Sequence, residues 1–201
     1  AAEKALQIDP TLSEAHSFLA DVAWMYDWYW TAADVESTQA LPLDANSVVA
    51  HEFYGQYLSV IGLAPEGMAE SKRAVELDPL SPEANTFLAA SFYCAHRYAE
   101  AIAQFHETLE MEPNYSLAHL FLGKSYVQNG ELERGIAELR RAKELDPHNP
   151  DFMGGLGHAY AVAGDRDAAQ RMLEELRQQS QAKYVSPYYS ALIYAALGDT
   201  D

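Results

Sequence analysis

The chain has little with which to staple or ligate itself. Its 201 residues include one cysteine, Cys94, so no internal disulfide is available, and a structural zinc site built from several thiolates is excluded. Cationic side chains are also scarce, 13 Lys and Arg against 30 Asp and Glu, for a net charge of −17. Nucleic acids and anionic membranes need a basic patch to meet their phosphates, and none is present. The densest basic stretch, Arg134, Arg140, Arg141 and Lys143, is interleaved with Glu133, Glu138 and Glu144 and reads as a solvated helix face with i,i+4 pairs. No apolar run approaches the ~20 residues of a membrane span. No signal peptide is visible. The chain opens on Ala1-Ala2-Glu3-Lys4-Ala5-Leu6, already inside a helical pattern, so it is expected to be a piece of a longer protein; the expected location is cytoplasmic.

What is present is a period. Asp9-Pro10, Asp78-Pro79, Glu112-Pro113 and Asp146-Pro147 each follow an apolar helical run, and Asp44-Ala45 fills the gap. The steps are 35, 34, 34 and 34 residues, which marks a stack of helical units rather than a single round core. Within Ser116 to Pro147, Leu117, Leu120, Phe121, Leu122 and Tyr126 stripe a first helix that Asn129-Gly130 stops. Ile136, Leu139 and Leu145 stripe a second helix, ended at Asp146-Pro147 because the residue before proline avoids helical geometry. The other units align column by column. A first-helix column is always small (Ala20, Gly55, Ala89, Gly123, Gly157, Ala191), and so is one in the second helix (Ala33, Gly67, Ala101, Gly135, Ala169). A third column reads Ala5, Ala40, Ala74, Thr108, Ala142 and Leu176, and an aromatic one Phe92, Tyr126, Tyr160 and Tyr194.

These columns resemble the tetratricopeptide repeat family over essentially the whole chain. The resemblance implies an all-α, right-handed superhelical solenoid of antiparallel pairs, about 12 helices in one array. The expected boundaries are a half repeat at 1–12, full repeats at 13–47, 48–81, 82–115, 116–149 and 150–183, and a terminal helix within 184–201. Three departures carry expectations. Pro42 should end its helix early. Ser37 and Ser71, where Phe105, Leu139 and Leu173 stand elsewhere, should loosen packing near the N-terminal end. The extra residue of the 35-residue unit should lie near Asp27 to Trp30. The aromatic turn Trp24-Met25-Tyr26-Asp27-Trp28-Tyr29-Trp30 and the segment Tyr184-Val185-Ser186-Pro187-Tyr188 are similar to features of repeat regions attached to bacterial Ser/Thr kinases and winged-helix regulators.

No catalytic constellation stands out. His106-Glu107-Thr108-Leu109-Glu110 begins like the zinc-protease helix, but Glu110 replaces the second histidine. Gly155-Leu156-Gly157 lacks the third glycine and preceding strand of a dinucleotide site, and Ser180-Gln181-Ala182-Lys183 matches S-x-x-K by spelling only. His16, His51 and His119 share a column. Packed helices lie about 8–10 Å apart, too far for one zinc ion with its nitrogens at about 2.0–2.1 Å, so they read as packing or capping residues. The expectation is a non-enzyme without cofactor or metal.

Binding is the better-supported role. In such arrays the first helix of each unit lines a concave face. The residues expected there are Asp21, Trp24 and Met25; Glu52, Gln56 and Ser59; Thr86, Ala90, Tyr93 and Cys94; Leu120, Lys124 and Gln128; and Gly154 and His158. Well-studied members of the family clamp acidic C-terminal tails with lysine, arginine and asparagine. Here the matching positions hold Asp21, Gln56, Ala90 and His158, with Lys124 the lone base, so that clamp is not expected. Trp24 and Tyr93 are the aromatic anchors for a protein or peptide partner. A second role is structural. The last helix, with Tyr188, Tyr189, Leu192, Ile193, Tyr194 and Leu197, is apolar for an outer cap, so end-to-end contact between copies is expected through Tyr188, Tyr189, Leu192 and Ile193.

Overall fold

A computed structural model describes residues 1–199; residues 200 and 201, the tip of the expected terminal segment, lie outside the described residues. The described residues form twelve α-helices and no strand, and the fold class is the all-α solenoid of antiparallel helix pairs. The helices are α1 Ala2–Ile8, α2 Ser13–Met25, α3 Trp30–Leu43, α4 Val48–Val60, α5 Ala64–Leu77, α6 Pro82–Cys94, α7 Tyr98–Met111, α8 Ser116–Gln128, α9 Leu132–Leu145, α10 Pro150–Val162, α11 Arg166–Ser180 and α12 Pro187–Leu197. Two compact units divide the chain, residues 1–107 and 108–201, with α7 running across the division.

Side-chain caps start α4, α6 and α10, whereas α2 and α8 begin after Leu12 and Tyr115 without one. Ser47 accepts from the Ala50 amide, Ser81 from Ala84 and Asn149 from Asp151, each satisfying an amide that has no partner inside the helix. Turns between first and second helices are three residues long, with a left-handed residue at Gly62, His96, Gly130 and Gly164. Between α2 and α3 the turn has four residues, Tyr26 to Tyr29, with Trp28 left-handed (φ 54°), which locates the extra residue of the 35-residue unit. Trp30 stacks on Trp24 at 6.4 Å and meets Trp28 edge-on at 6.1 Å, so the long turn is clad in indoles.

Within the N-terminal unit the small columns let α4 and α5 touch backbone to backbone. A Cβ added at Gly67 would sit 2.6 Å from the Gly55 carbonyl oxygen and 2.3 Å from Ser59 Oγ. In the C-terminal unit, α8 and α9 approach alike, with a Gly135 Cβ 2.9 Å from the Gly123 carbonyl oxygen. The looser N-terminal packing expected from Ser71 is therefore not found between α4 and α5. Ser71 is wholly buried and its hydroxyl lies 2.8 Å from Ser91 Oγ, which also accepts from Ser59 at 3.1 Å. Hydroxyls here hydrogen-bond where Leu139 and Val127 pack in the C-terminal unit. Pro42 does not shorten its helix either: α3 runs to Leu43 with the same 14-residue length as α5 and α9. A proline so close to the end forgoes only a last-turn amide bond, a smaller loss than in a helix interior.

The C-terminal unit owns the larger apolar core, with Leu120, Leu139, Phe152, Leu156, Leu176 and Ile193 nearly fully buried. Gly154 and Gly157 belong to it by necessity. A Cβ at Gly157 would fall 2.4 Å from Ile193 Cδ1 and 2.9 Å from Met172 Cβ, and one at Gly154 would fall 2.9 Å from Tyr189 Cβ. The glycines admit α12 onto α10. This removes Ile193 from the expected contact between copies and engages Tyr189 within the unit. Ile193 is fully buried and Tyr189 is packed on α10, leaving Tyr188 and Tyr194 exposed and Leu192 half-buried.

Candidate functional site

The repeat register sets the first helices of each unit side by side. In the N-terminal unit Phe18, Phe53 and Phe87 form a ladder across α2, α4 and α6, with ring centroids 5.4 and 6.1 Å apart. The residues one position before them, Ser17, Glu52 and Thr86, form a parallel row, and all three are buried. Glu52 is 3% exposed and has no hydrogen bond or ion pair among the described residues. Burial, reinforced by the negative charges of Glu83 and Asp78, pushes its carboxyl up to about 8. Thr86 Oγ1 and Trp24 Nε1 are buried polar atoms that also find no partner among the described residues. Native interiors rarely leave such atoms unmatched.

The other expected positions divide by burial. Asp21, with its carboxyl raised by burial, is half-buried, as are Trp24, Gln56 and Tyr93, and Met25 is exposed. Ser59 is buried and spends its hydroxyl on the Gly55 carbonyl and Ser91. It belongs to the packing between helices and offers nothing to a partner. Cys94 is half-buried, and burial raises its thiol, so it carries little thiolate.

In the C-terminal unit the same face is built from paired groups. Leu120 is fully buried in the core and is not available to a partner. The Lys124 ammonium donates to Asp151 Oδ1 at 2.9 Å and lies 5.0 Å from the Phe121 ring centroid, a cation held by a carboxylate and an aromatic face. His158, half-buried, is held below the ordinary histidine value by burial and then by the Lys124 charge. Gln128 is exposed. Lys124, the lone base of the expected face, is thus already engaged.

The aligned histidines do something the sequence did not disclose. His16 Nδ1 lies 2.7 Å from Glu36 Oε2 on the second helix, and its Nε2 lies 3.0 Å from the Pro10 carbonyl in the preceding turn. His51 repeats this with Glu70 and the Ala45 carbonyl, and His119 with Glu138 and the Pro113 carbonyl. In the third unit Asn85 takes the place, accepting from Gln104 at 2.9 Å and donating to the Pro79 carbonyl at 3.2 Å. Each is a staple across a helix pair and its entry turn. In His16 and His119 both neighbours of the ring are acceptors, which favours the doubly protonated form. For His16 and His119, burial pulls the pKa down, but the glutamate bond, the carbonyl bond and the glutamate charge leave it raised. The signal was in the sequence as an acid in each second helix, 19 or 20 residues after the histidine.

Helix pairs in tandem, packing columns shared from unit to unit and a polar-aromatic first-helix face define a helical repeat protein. Two sequence profiles described as tetratricopeptide repeat match residues 88–150 and 134–195, together more than half of the chain, and the chain belongs to the tetratricopeptide repeat (TPR) family. No curated protein sequence matches it. Among solved structures it is similar to TTC0263, a thermophilic TPR protein of Thermus thermophilus (TM-score 0.82, 18% identity, covering 92% of this chain and 98% of that one). It is also similar to PilW, a type IV pilus biogenesis factor (TM-score 0.72, 21% identity, 98% and 87%). A third is YrrB, a TPR protein with an unusual peptide-binding site (TM-score 0.55, 18% identity, 97% of each chain). At these identities the likeness establishes the fold. Among the described residues no helix is long and apolar enough to cross a membrane.

Proposed function

We propose that the chain is a non-catalytic protein-interaction scaffold that holds a polypeptide segment on its concave, first-helix face. The observation that carries this reading is the pair of buried unmatched atoms in the N-terminal unit, Thr86 Oγ1 and Trp24 Nε1, beside a Glu52 carboxyl that has no hydrogen bond or ion pair among the described residues. A segment laid across α2, α4 and α6 would supply their partners. Met25 and Tyr93 border the same face and offer apolar area at its far end. Family membership supports the role, and YrrB is a TPR protein with a peptide-binding site of its own. The repeat boundaries expected from the period belong to the same proposal. The test is a pull-down with wild type, Trp24→Ala and Tyr93→Ala. Either substitution is expected to cost at least one partner by about tenfold or more. Retention of every partner by both variants would remove these anchors.

A second reading is end-to-end association that positions a fused signalling or DNA-binding domain. It is favoured by the exposed Leu12, Phe18 and Val22 beside a hollow of about 690 Å³ in the N-terminal unit, and by the exposed Tyr188 and Tyr194 on α12. Light scattering decides it, since a monomer over a wide concentration range leaves this reading without support.

A further inference from the structure

We infer that the first-helix face of the N-terminal unit receives a cationic polypeptide segment, whose lysine or arginine heads dock on Glu52 and Glu83 beside the Phe53 ring. The inference rests on the groove reading above and narrows the chemistry of the partner.

The molecule contains its own template for the contact. In the C-terminal unit the Lys124 ammonium sits between the Asp151 carboxylate and the Phe121 ring. Two repeats earlier in the sequence, the same columns hold Phe53 for Phe121, Glu83 for Asp151 and Gln56 for Lys124. Ring and acid are retained, and the lysine is replaced by a neutral amide. A second carboxylate is added as well, because Glu52 stands in the column of Leu120. The C-terminal slot therefore matches one acid with one base. The N-terminal slot has two acids, and among the described residues neither Glu52 nor Glu83 has a hydrogen bond or ion pair.

Acidity alone would not make this a site. The independent observation is that Thr86, 3% exposed, has a buried hydroxyl that nothing among the described residues satisfies, in one row with Glu52, which is 3% exposed and has no hydrogen bond or ion pair among them. A buried carboxylate without a partner is costly, and a counter-charge arriving beside it would offset that cost. An ammonium or guanidinium supplies that charge and up to several donors. The surroundings agree. Residues 1–107 hold 16 acidic and 4 basic residues, so the field around this face attracts a basic segment and repels the acidic tails that other family members clamp.

The experiment measures binding of a fluorescein-labelled oligolysine peptide and an oligoglutamate peptide to the full chain by anisotropy. Wild type is expected to bind oligolysine and not oligoglutamate. Glu52→Gln/Glu83→Gln should weaken oligolysine binding by about tenfold relative to Glu3→Gln/Glu66→Gln, which replaces as many acids on α1 and α5. Gln56→Lys keeps both acids and supplies an internal ammonium, so it should weaken binding similarly while circular dichroism confirms a folded chain. Equal losses from the two double variants would reduce the effect to net charge and overturn the inference. So would oligoglutamate binding, or spermidine competing as tightly as the peptide. If oligolysine binding ignores Glu52, Glu83 and Gln56 while Trp24→Ala or Tyr93→Ala still loses a natural partner, the groove stands and the cationic specificity falls. If the reverse holds, the anchors fall and the acidic slot stands.

Discussion

In the C-terminal unit Lys124 lies against Asp151; in the N-terminal unit the corresponding residues are Gln56 and Glu83. Residues 108–201 hold 14 acidic and 9 basic residues, against 16 and 4 in residues 1–107, so most of the net charge lies in the N-terminal unit. The cores differ in the same sense. Leucine, phenylalanine and isoleucine fill the C-terminal one, while Ser59, Ser71 and Ser91 share hydroxyl bonds in the N-terminal one. One repeat template thus supports a unit whose first-helix base is held by an acid and another whose first-helix acids Glu52 and Glu83 have no partner among the described residues, although Gln179 Oε1 is left unmatched in the C-terminal unit as well. Stability can be met by the packing columns alone, which frees the remaining positions for a partner.

The hardest way to break the comparison is through the glycines that both units share. Gly67→Ala places a Cβ 2.6 Å from the Gly55 carbonyl, a backbone atom that moves only if α4 and α5 separate. It should lower stability by about 2–3 kcal/mol despite the better helix propensity of alanine. Gly157→Ala meets the flexible end of Ile193 at 2.4 Å, which can rotate, and Met172 Cβ at 2.9 Å, which cannot. A loss of about 1–2 kcal/mol is expected. Urea midpoints of the two variants check the order, and a costlier Gly157→Ala would mean that the C-terminal core is the less yielding of the two.

The staples offer the next contrast, since His16 and His51 are histidine–glutamate versions and Asn85 an amide–amide version within one unit. His119→Asn leaves Glu138 without its bond and should cost about 1–2 kcal/mol near pH 6. Adding Glu138→Gln rebuilds the Asn85–Gln104 arrangement and should recover most of the loss. The pH sense follows from the raised values of His16 and His119. Their contribution is complete below the ordinary histidine pKa and is lost as pH rises through the raised one. Thermal melts between about pH 5 and about pH 9 should show the double variant less pH-sensitive than wild type.

Much of this was legible in the chain. The 34-residue step gave helix order, turns and packing columns because each rests on local signals, a proline, a glycine or an apolar stripe at fixed spacing. The face was legible only as columns. Which members of a column are covered depends on neighbours one repeat away, so Leu120 and Ser59 vanished into packing while Asp21 and Met25 stayed accessible in part or whole. Ile193 escaped for the same reason, since its burial depends on Gly157 making room 36 positions earlier. The staples required pairing a first-helix column with a second-helix column, a relation that no single periodic stripe expresses.

A smaller effect separates the two faces by titration. The Glu52 carboxyl, pushed up to about 8 by burial and then by Glu83 and Asp78, is favoured in its protonated form by the fold. Its contribution is therefore present in acid and is lost as pH climbs through about 8. Glu52→Gln should melt like wild type in acid and about 2–4 °C higher in alkali. Differential scanning fluorimetry across that range measures it, and an unchanged alkaline melting point would mean that Glu52 is matched in solution.

The mildest change turns the C-terminal face toward the N-terminal pattern. Lys124→Gln removes the ammonium from Asp151 and Phe121 and places there the amide that Gln56 supplies in the other unit. Lys124 and Asp151 are 22% and 33% exposed, so solvent screens their attraction and the stability cost should be about 0.5 kcal/mol or less. His158 should respond more clearly, because the Lys124 charge is one of the causes that depress it. Its midpoint in an NMR titration should move up, yet stay below that of free histidine while burial persists. An unmoved midpoint would show that burial alone sets His158, and that the lysine serves Asp151 and the ring without reaching across the face.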